Sequence, residues 1–205
     1  MNPTENIIHL PRKSLPQQIL TQHSIIPVRN DVLWRIERGV VRTLTWNEEG
    51  TAITLGYWGP GDITGHALSK VTPYQIQCLT SVQATIIPPH LWHEHIEALL
   101  SHIQQTEQIL HILHCQPTSL RLWHFLLWLG DKFGRDLEQG KLIDLNLTHQ
   151  DISEVLNTTR VTITRLLRKF ETQGKISRPK RSIILRLDGD RRQIDCQNNG
   201  LSQNT

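Results

Sequence analysis

Residues 147–186 read LTHQDISEVLNTTRVTITRLLRKFETQGKISRPKRSIILR, and this stretch decides how the chain is understood. It has the pattern of two short amphipathic helices joined by a tight turn and followed by a basic hairpin. Thr148 can N-cap the first helix, and Asp151, three residues on, completes a capping box. The apolar face of that helix is Ile152, Val155 and Leu156. Asn157 and Thr158 suit a turn better than a helix interior. Thr159 can then cap a second helix, which should end near Gly174.

Advancing 100° per residue along the second helix puts Ile163, Leu166, Leu167 and Phe170 in one stripe. Val161, Arg165, Arg168 and Thr172 fall on the opposite side, with Arg160 and Thr164 at its margins. A helix anchored by four apolar residues that turns arginines, a valine and threonines outward suits a DNA major groove. Arginine can grip guanine O6 and N7 together, and Val or Thr methyl groups can touch the thymine methyl. A basic surface helix of a small bundle is the rival reading. The preceding helix and turn weigh against it.

The same segment resembles the C-terminal winged helix-turn-helix of the catabolite-activator/fumarate-nitrate-regulator (Crp/Fnr) superfamily. Its run TTRVTITRLL is similar to the cyanobacterial nitrogen-regulator branch. The likeness extends upstream through RLWHFLLWLGDKFG and GKLIDLNLTHQDISEVL, covering about residues 118–187. The resemblance implies that Arg160 and Arg165 read bases and that threonine hydroxyls near the helix start hold phosphate. Valine at position 161, where the catabolite activator has glutamate, implies palindromic operators with GTA half-sites. The base-reading set is therefore Arg160, Val161, Thr164, Arg165 and Arg168. The phosphate set is Thr148, Thr158, Thr159 and Thr162, with Arg178, Lys180 and Arg181 on a wing between strands at Ile176–Ser177 and Ser182–Leu187. Cations on such a turn suit phosphate and add salt-dependent affinity without sequence preference; a plain solvated turn is the alternative.

Charge is distributed to match. Residues 1–116 hold 7 Lys+Arg against 9 Asp+Glu, and residues 117–205 hold 15 against 10. The footprint of a polyanion partner thus falls on the C-terminal part. Pro117 marks a hinge before an amphipathic helix at 118–133, with Leu122, Phe125, Leu126 and Leu129 on one face. Gly134 and Gly140 flank a loop, and LIDLNL (142–147) alternates as a short strand.

Upstream, Pro3, Pro11, Pro16 and Pro27 break the chain, and a first strand lies near Ile26. VLWRIERGVVRTLTWNEEGTAITLGYW, from Val32, shows strand periodicity around the turn Asn47-Glu48-Glu49-Gly50. Gly59-Pro60-Gly61-Asp62 is a second turn, and residues 76–88 form a further alternating run. Short strands at this spacing predict an antiparallel roll. The order of Gly39, NEEG and GPGDITG also resembles the superfamily's cyclic-nucleotide-binding-like sensor domain, over about residues 30–88. Where cyclic-nucleotide binders carry a ribose-binding glutamate, this chain has His66, and their Arg-Ser or Arg-Thr pair falls near Thr72-Pro73. No arginine occurs between Arg42 and Arg121, so a cyclic phosphate has no clamp and no cyclic AMP binding is expected.

From residue 89 to 115 the period becomes helical. Trp92, Ile96, Leu99, Ile103, Thr106, Leu110 and Leu113 form an a/d seam, read as a dimerisation surface because a palindrome needs a two-fold partner. An ordinary helix packed on its own domain is the competing account. The nitrogen regulator's helix arginine for 2-oxoglutarate has no counterpart between Lys70 and Arg121.

The fold expected is therefore α+β: an N-terminal β-roll over 1–88, a long dimerisation helix over 89–116, a winged helix-turn-helix over 117–187, and a polar tail over 188–205. The expected partners are double-stranded DNA, a second copy of the chain and, as a further candidate, RNA polymerase. Any small-molecule effector is unknown. No 18-residue apolar run or secretory leader pattern occurs, and a cytoplasmic setting is expected. Cys78, Cys115 and Cys196 form no CxxC pair or disulfide framework, and none lies where the family's iron-sulfur members keep their cysteines. His93, His95, His111, His114 and Cys115 raise a metal- or haem-sensing alternative in which the winged helix contacts protein; exposed helix positions explain them more simply. No cofactor is assigned. No GxSxG, P-loop, HExxH or dinucleotide fingerprint points to an enzyme.

Overall fold

The computed structural model describes residues 15–180 and 182–186. Two four-stranded antiparallel sheets face each other to make the roll. One runs in the order β1 (Gln17–Leu20), β8 (Val82–Ile87), β3 (Leu33–Arg38), β6 (Ile63–Thr64). The other is β2 (Ile25–Ile26), β7 (Gln75–Cys78), β4 (Val41–Trp46), β5 (Ala52–Trp58). Alternate residues point between them, so Trp34, Ile36, Val41, Trp58, Ile76 and Ala84 form an interior that excludes water.

The turns fix the register. Gly39 adopts φ +83° between β3 and β4, and the Val40 amide donates to the Thr80 hydroxyl at 2.9 Å. A side chain at Gly39 would place its Cβ 2.1 Å from the Ser81 carbonyl oxygen. In the β4–β5 hairpin, the Gly50 amide donates to the Asn47 carbonyl (3.0 Å) and the Thr51 amide to the Asn47 side chain (2.8 Å). The run 76–88, expected as one strand, is two. β7 and β8 belong to different sheets, and the chain crosses between them at Leu79–Ser81, where the Leu79 amide bonds the Val40 carbonyl. β1 was not foreseen; it follows immediately on Pro16 and pairs with β8.

After the roll, residues Pro89–His95 wind as a 3₁₀ segment, and α1 spans Ile96–His114. α2 (Thr118–Phe133) matches the span expected from its periodicity. The segment from Gly134 to Gly140 is not a loop but a hairpin of β9 (Arg135–Leu137) and β10 (Gly140–Ile143). The strand therefore sits earlier than the alternation in LIDLNL suggested. α3 (His149–Val155) and α4 (Arg160–Thr172) follow, and β11 (Ile176–Ser177) and β12 (Ile183–Leu185) complete a sheet in the order β11-β12-β10-β9.

The roll and the C-terminal helices share a core. Val40, Tyr57 and Leu79 from the roll pack into the cluster built by α2, α3 and α4. Tyr57 sits 6.0 Å from Phe125 and 6.3 Å from Trp128, centroid to centroid. Two ion pairs flank this contact. Arg42 of β4 meets Asp151 of α3 at 2.7 Å, and Asp62 meets Lys132 of α2 at 2.7 Å. Asp62 also accepts from the Gly59 amide and from Gln105 of α1, each at 2.7 Å, and Lys132 bonds Gln105 in turn. A half-buried cation and anion held this way sustain each other, and removing either leaves the other poorly solvated.

Gly39→Ala should destabilise the protein by more than about 3 kcal/mol, since backbone strain and a backbone clash act together. Gly50 has a similar φ, +77°, but nothing within 4 Å of its would-be Cβ. Gly50→Ala should therefore cost only about 1–2 kcal/mol. Urea unfolding of the two variants measures the difference.

Candidate DNA-binding face

The reading face begins with the capping box of α3. The Asp151 amide donates to the Thr148 hydroxyl at 3.0 Å, and the Thr148 amide and hydroxyl donate to the Asp151 carboxylate at 2.8 and 2.6 Å. The Asp151 oxygen not used there receives Arg42. The turn into α4 places Asn157 at φ +47°, a conformation asparagine tolerates better than most residues. Arg121, buried in α2, donates to the Leu156 carbonyl (2.7 Å) and the Cys115 carbonyl (3.2 Å), tying this turn to the end of α1. Thr159 then caps α4 by accepting from the Thr162 amide at 3.1 Å.

α4 is divided as its periodicity predicted. Ile163, Leu166, Leu167 and Phe170 are buried. Phe170 meets Trp123 of α2 edge-on at 5.5 Å, with the Lys175 ammonium 5.3 Å from the Trp123 ring centre. On the other side, Arg160, Arg165 and Arg168 are exposed, Thr164 is half-buried and Val161 is 77% exposed. These five expected base-reading residues line one open concavity of about 440 Å³.

The expected phosphate residues divide into two groups. Thr158, Thr159 and Thr162 cluster at the start of α4, and Lys180 is exposed on the wing turn at φ +57°. Arg181 lies outside the described residues. Thr148 and Arg178 are taken up internally. The Thr148 proton goes to Asp151, and Arg178 donates to Glu171 at 2.6 Å and to His149 at 2.9 Å. The Arg178 guanidinium holds the Glu171 carboxyl below its ordinary value. His149 also bonds the Thr164 hydroxyl at 2.8 Å. Sequence reasoning passed over His149, Arg121 and Arg42, because each acts through a tertiary partner that no local pattern reveals.

The residues expected to form a dimer seam do not share one exposed face. Trp92 donates to the Ile87 carbonyl (3.1 Å), and Trp92 and Leu99 pack on Leu33, Ile63 and Ile87 of the roll. Leu113 leans on the C-terminal core. The apolar side chains left bare on α1 are Ile96, Leu100, Ile103 and Leu110, each more than half exposed, with Thr106 beside them. Leu100 thus takes the place expected of Leu99. Roll contacts claim one side of the helix, a demand the heptad pattern does not record.

Inside the roll, His102 of α1 stacks on Trp58 with ring centres 3.9 Å apart. The Trp58 indole donates to the Thr43 hydroxyl at 3.2 Å, and His102 bonds the Ile63 carbonyl at 2.9 Å. Burial keeps His102 below its ordinary pKa. The space left beside this stack is about 200 Å³, lined by Thr43, Leu55, Trp58, Tyr74, His102 and Thr106 among others, none of them Lys or Arg. His66 is outside it, bonded to Asn30 at 2.6 Å. Among the described residues no group of three or more His, Cys, Asp or Glu could hold a metal ion, and no helix is long and apolar enough to cross a membrane.

Residues 120–189 match the Crp-like helix-turn-helix domain. The chain is 39% identical to the regulatory protein CysR of Synechococcus elongatus over 180 residues, 86% of this chain and 87% of that one. It belongs to the Crp/Fnr family. The global nitrogen regulator of the same organism is 31% identical over 75% of this chain and 76% of its own length. A CRP-family transcriptional regulator from Thermus thermophilus shares the fold, with a TM-score of 0.71 and 22% identity, covering 82% of this chain and 91% of that structure. The protein is thus a transcription regulator of the Crp/Fnr type with a helix-turn-helix DNA-binding domain, in a family of regulators and not of enzymes.

Asp151→Asn keeps one acceptor oxygen for the Thr148 amide but turns an NH2 donor toward Arg42, and should cost about 2 kcal/mol. Asp151→Ala removes the carboxylate half of the capping box and the ion-pair partner of Arg42, and should cost about 3 kcal/mol. Denaturant midpoints of the two variants test this ordering.

Proposed function

We propose that the protein binds a palindromic operator as a homodimer, reads GTA-containing half-sites with α4, and does so without control by cyclic AMP. One observation carries the reading: Arg160, Val161, Thr164, Arg165 and Arg168 share one open face, and the four apolar residues of α4 are buried behind it. Arg160 and Arg165 supply bidentate donors to guanine, and Val161 a methyl surface for thymine. Thr158, Thr159, Thr162, Lys180 and Arg181 hold phosphates, while Thr148 and Arg178 hold the helix start and the wing in place. Residues 117–187 form the DNA-binding unit, 1–88 the sensor-like roll, and 89–116 the connecting segment whose exposed stripe meets its mate.

The second copy is supported by Ile96, Leu100, Ile103 and Leu110, spaced at 4, 3 and 7 residues along one side of α1. That spacing returns to the same side of a helix every two turns, as pairing of two helices requires. The absence of cyclic AMP control is supported by the roll interior, where Trp58 and His102 fill the centre and the remaining space has no cation to clamp a phosphate. RNA polymerase and any effector of the roll remain partners of unassigned surface.

Titrating the protein into a labelled GTA-type palindrome at two salt concentrations tests the reading; equal affinity for random duplex would overturn it. Arg165→Ala should lose about 1–3 kcal/mol on the palindrome and flatten preference at one base pair. Lys180→Ala, which removes one phosphate contact from each protomer, should weaken all sequences alike and shallow the log–log salt slope of the dimer by about 1.8. Leu100→Asp with Ile103→Asp should sediment as a monomer and lose the palindrome while keeping its far-ultraviolet circular dichroism.

A further inference from the structure

We propose that His149 helps set how Thr164 meets DNA: bridging Arg178 of the wing and Thr164 of α4, it fills an acceptor position of the threonine hydroxyl while the Arg160 carbonyl takes its proton, which leaves the methyl group as the reading surface. The inference deepens the proposed function and rests on α4 entering the groove.

The hydrogen-bond directions follow from what each group can do. A guanidinium has only donors, so at 2.9 Å from Arg178 the Nε2 of His149 must accept. A neutral imidazole that accepts at Nε2 carries its proton on Nδ1, which therefore donates to the Thr164 hydroxyl at 2.8 Å. Thr164 has one proton of its own, and this goes to the Arg160 carbonyl at 2.9 Å. No donor is left on Thr164, and one acceptor site remains. Thr164 is then unable to donate to guanine O6 or N7, adenine N7 or thymine O4, the acceptors of the major groove. Its γ-methyl, on the same face as Val161 and Arg165, is free to contact a thymine methyl.

The charged groups facing His149 are Arg178 beside the wing and Arg160, Arg168 and Glu171 on α4. Burial, then the arginines, lower its pKa below the ordinary 6.5, with Glu171 acting the other way. The bridge is therefore complete above that range and is lost as pH falls through the lowered value. A proton on Nε2 would set two donors against each other, and Arg178 would lose His149 while keeping Glu171 of α4.

Fluorescence anisotropy on GTA-type palindromes, changed one base pair at a time and measured from pH 5.5 to 8, tests this in the full chain. Thr164→Val, which keeps the methyl, should preserve the wild-type preference for thymine at one position. Thr164→Ser, which keeps the hydroxyl, should reduce that preference about fourfold, the worth of one buried carbon. His149→Leu frees an acceptor lone pair on Thr164 and should relax the preference toward bases with amino donors, adenine N6 and cytosine N4, and should remove the low-pH weakening of binding that loss of the Arg178 contact causes. Thr164→Ser retaining the preference while Thr164→Val loses it would overturn the proposal, as would a wild-type preference and pH profile in His149→Leu. The threonine variants leave the bridge histidine in place, so the comparison stands even if His149→Leu does not fold. Wild-type protein that binds no palindrome overturns the DNA reading as well; binding with an unaltered variant pattern overturns this inference alone.

Discussion

Ile163, Leu166, Leu167 and Phe170 occupy the side of α4 that water does not reach, and their burial fixes the rotation of the helix about its own axis. Each contributes about 1.5–3 kcal/mol by leaving water. Rotating α4 to bring an arginine inward would forfeit part of this and desolvate a guanidinium at several kcal/mol more. The outward aim of Arg160, Arg165 and Arg168 is thus set by the opposite face. Every other feature of the reading head serves that packing: α3 supplies Ile152 and Val155, α2 supplies Phe125 and Leu129, and the wing supplies Ile176 and Leu185.

The polar contacts act on top of this core and mostly at its seams. Arg121 reaches the carbonyl at the end of α3 from beneath, and Asp62, Gln105 and Lys132 join roll, α1 and α2 in one network. Arg121, Asp62 and Gln105 are buried, Lys132 is half-buried, and all are hydrogen-bonded, so their value lies in fixing relative position more than in net stability. The stack of Trp58 on His102 plays the corresponding role inside the roll, placing α1 against β5 and β6.

Local chemistry made much of this legible in advance. The capping box at Thr148, the second cap at Thr159, the stripe on α4 and the span of α2 are all set by neighbours within a few residues, where sequence and structure share one period. The hairpin turn at Asn47–Gly50 belongs to the same class. What could not be read depends on partners distant in sequence. The split of 76–88 into β7 and β8 is decided by which sheet each half joins. The inward turn of Leu99 is decided by the roll beneath it. Arg178 has Glu171 and His149 beside it, partners that the local sequence does not reveal, and the Thr148 proton goes to Asp151. At the candidate site, residue types and the exposed side of α4 were legible; which hydroxyls and guanidinia remain available was not.

Asp151 serves two masters with two oxygens: one closes the start of α3, and the other receives Arg42 from the roll. The two duties are unequal. If the winged helix swings away from the roll, the carboxylate travels with its own helix and the start of α3 stays intact. What is left behind is a guanidinium in β4, retaining only Gln77 as neighbour. For this ion pair the penalty for separating the halves falls on the roll, whereas at the other seam it is Lys132 of α2 that would leave Asp62 behind.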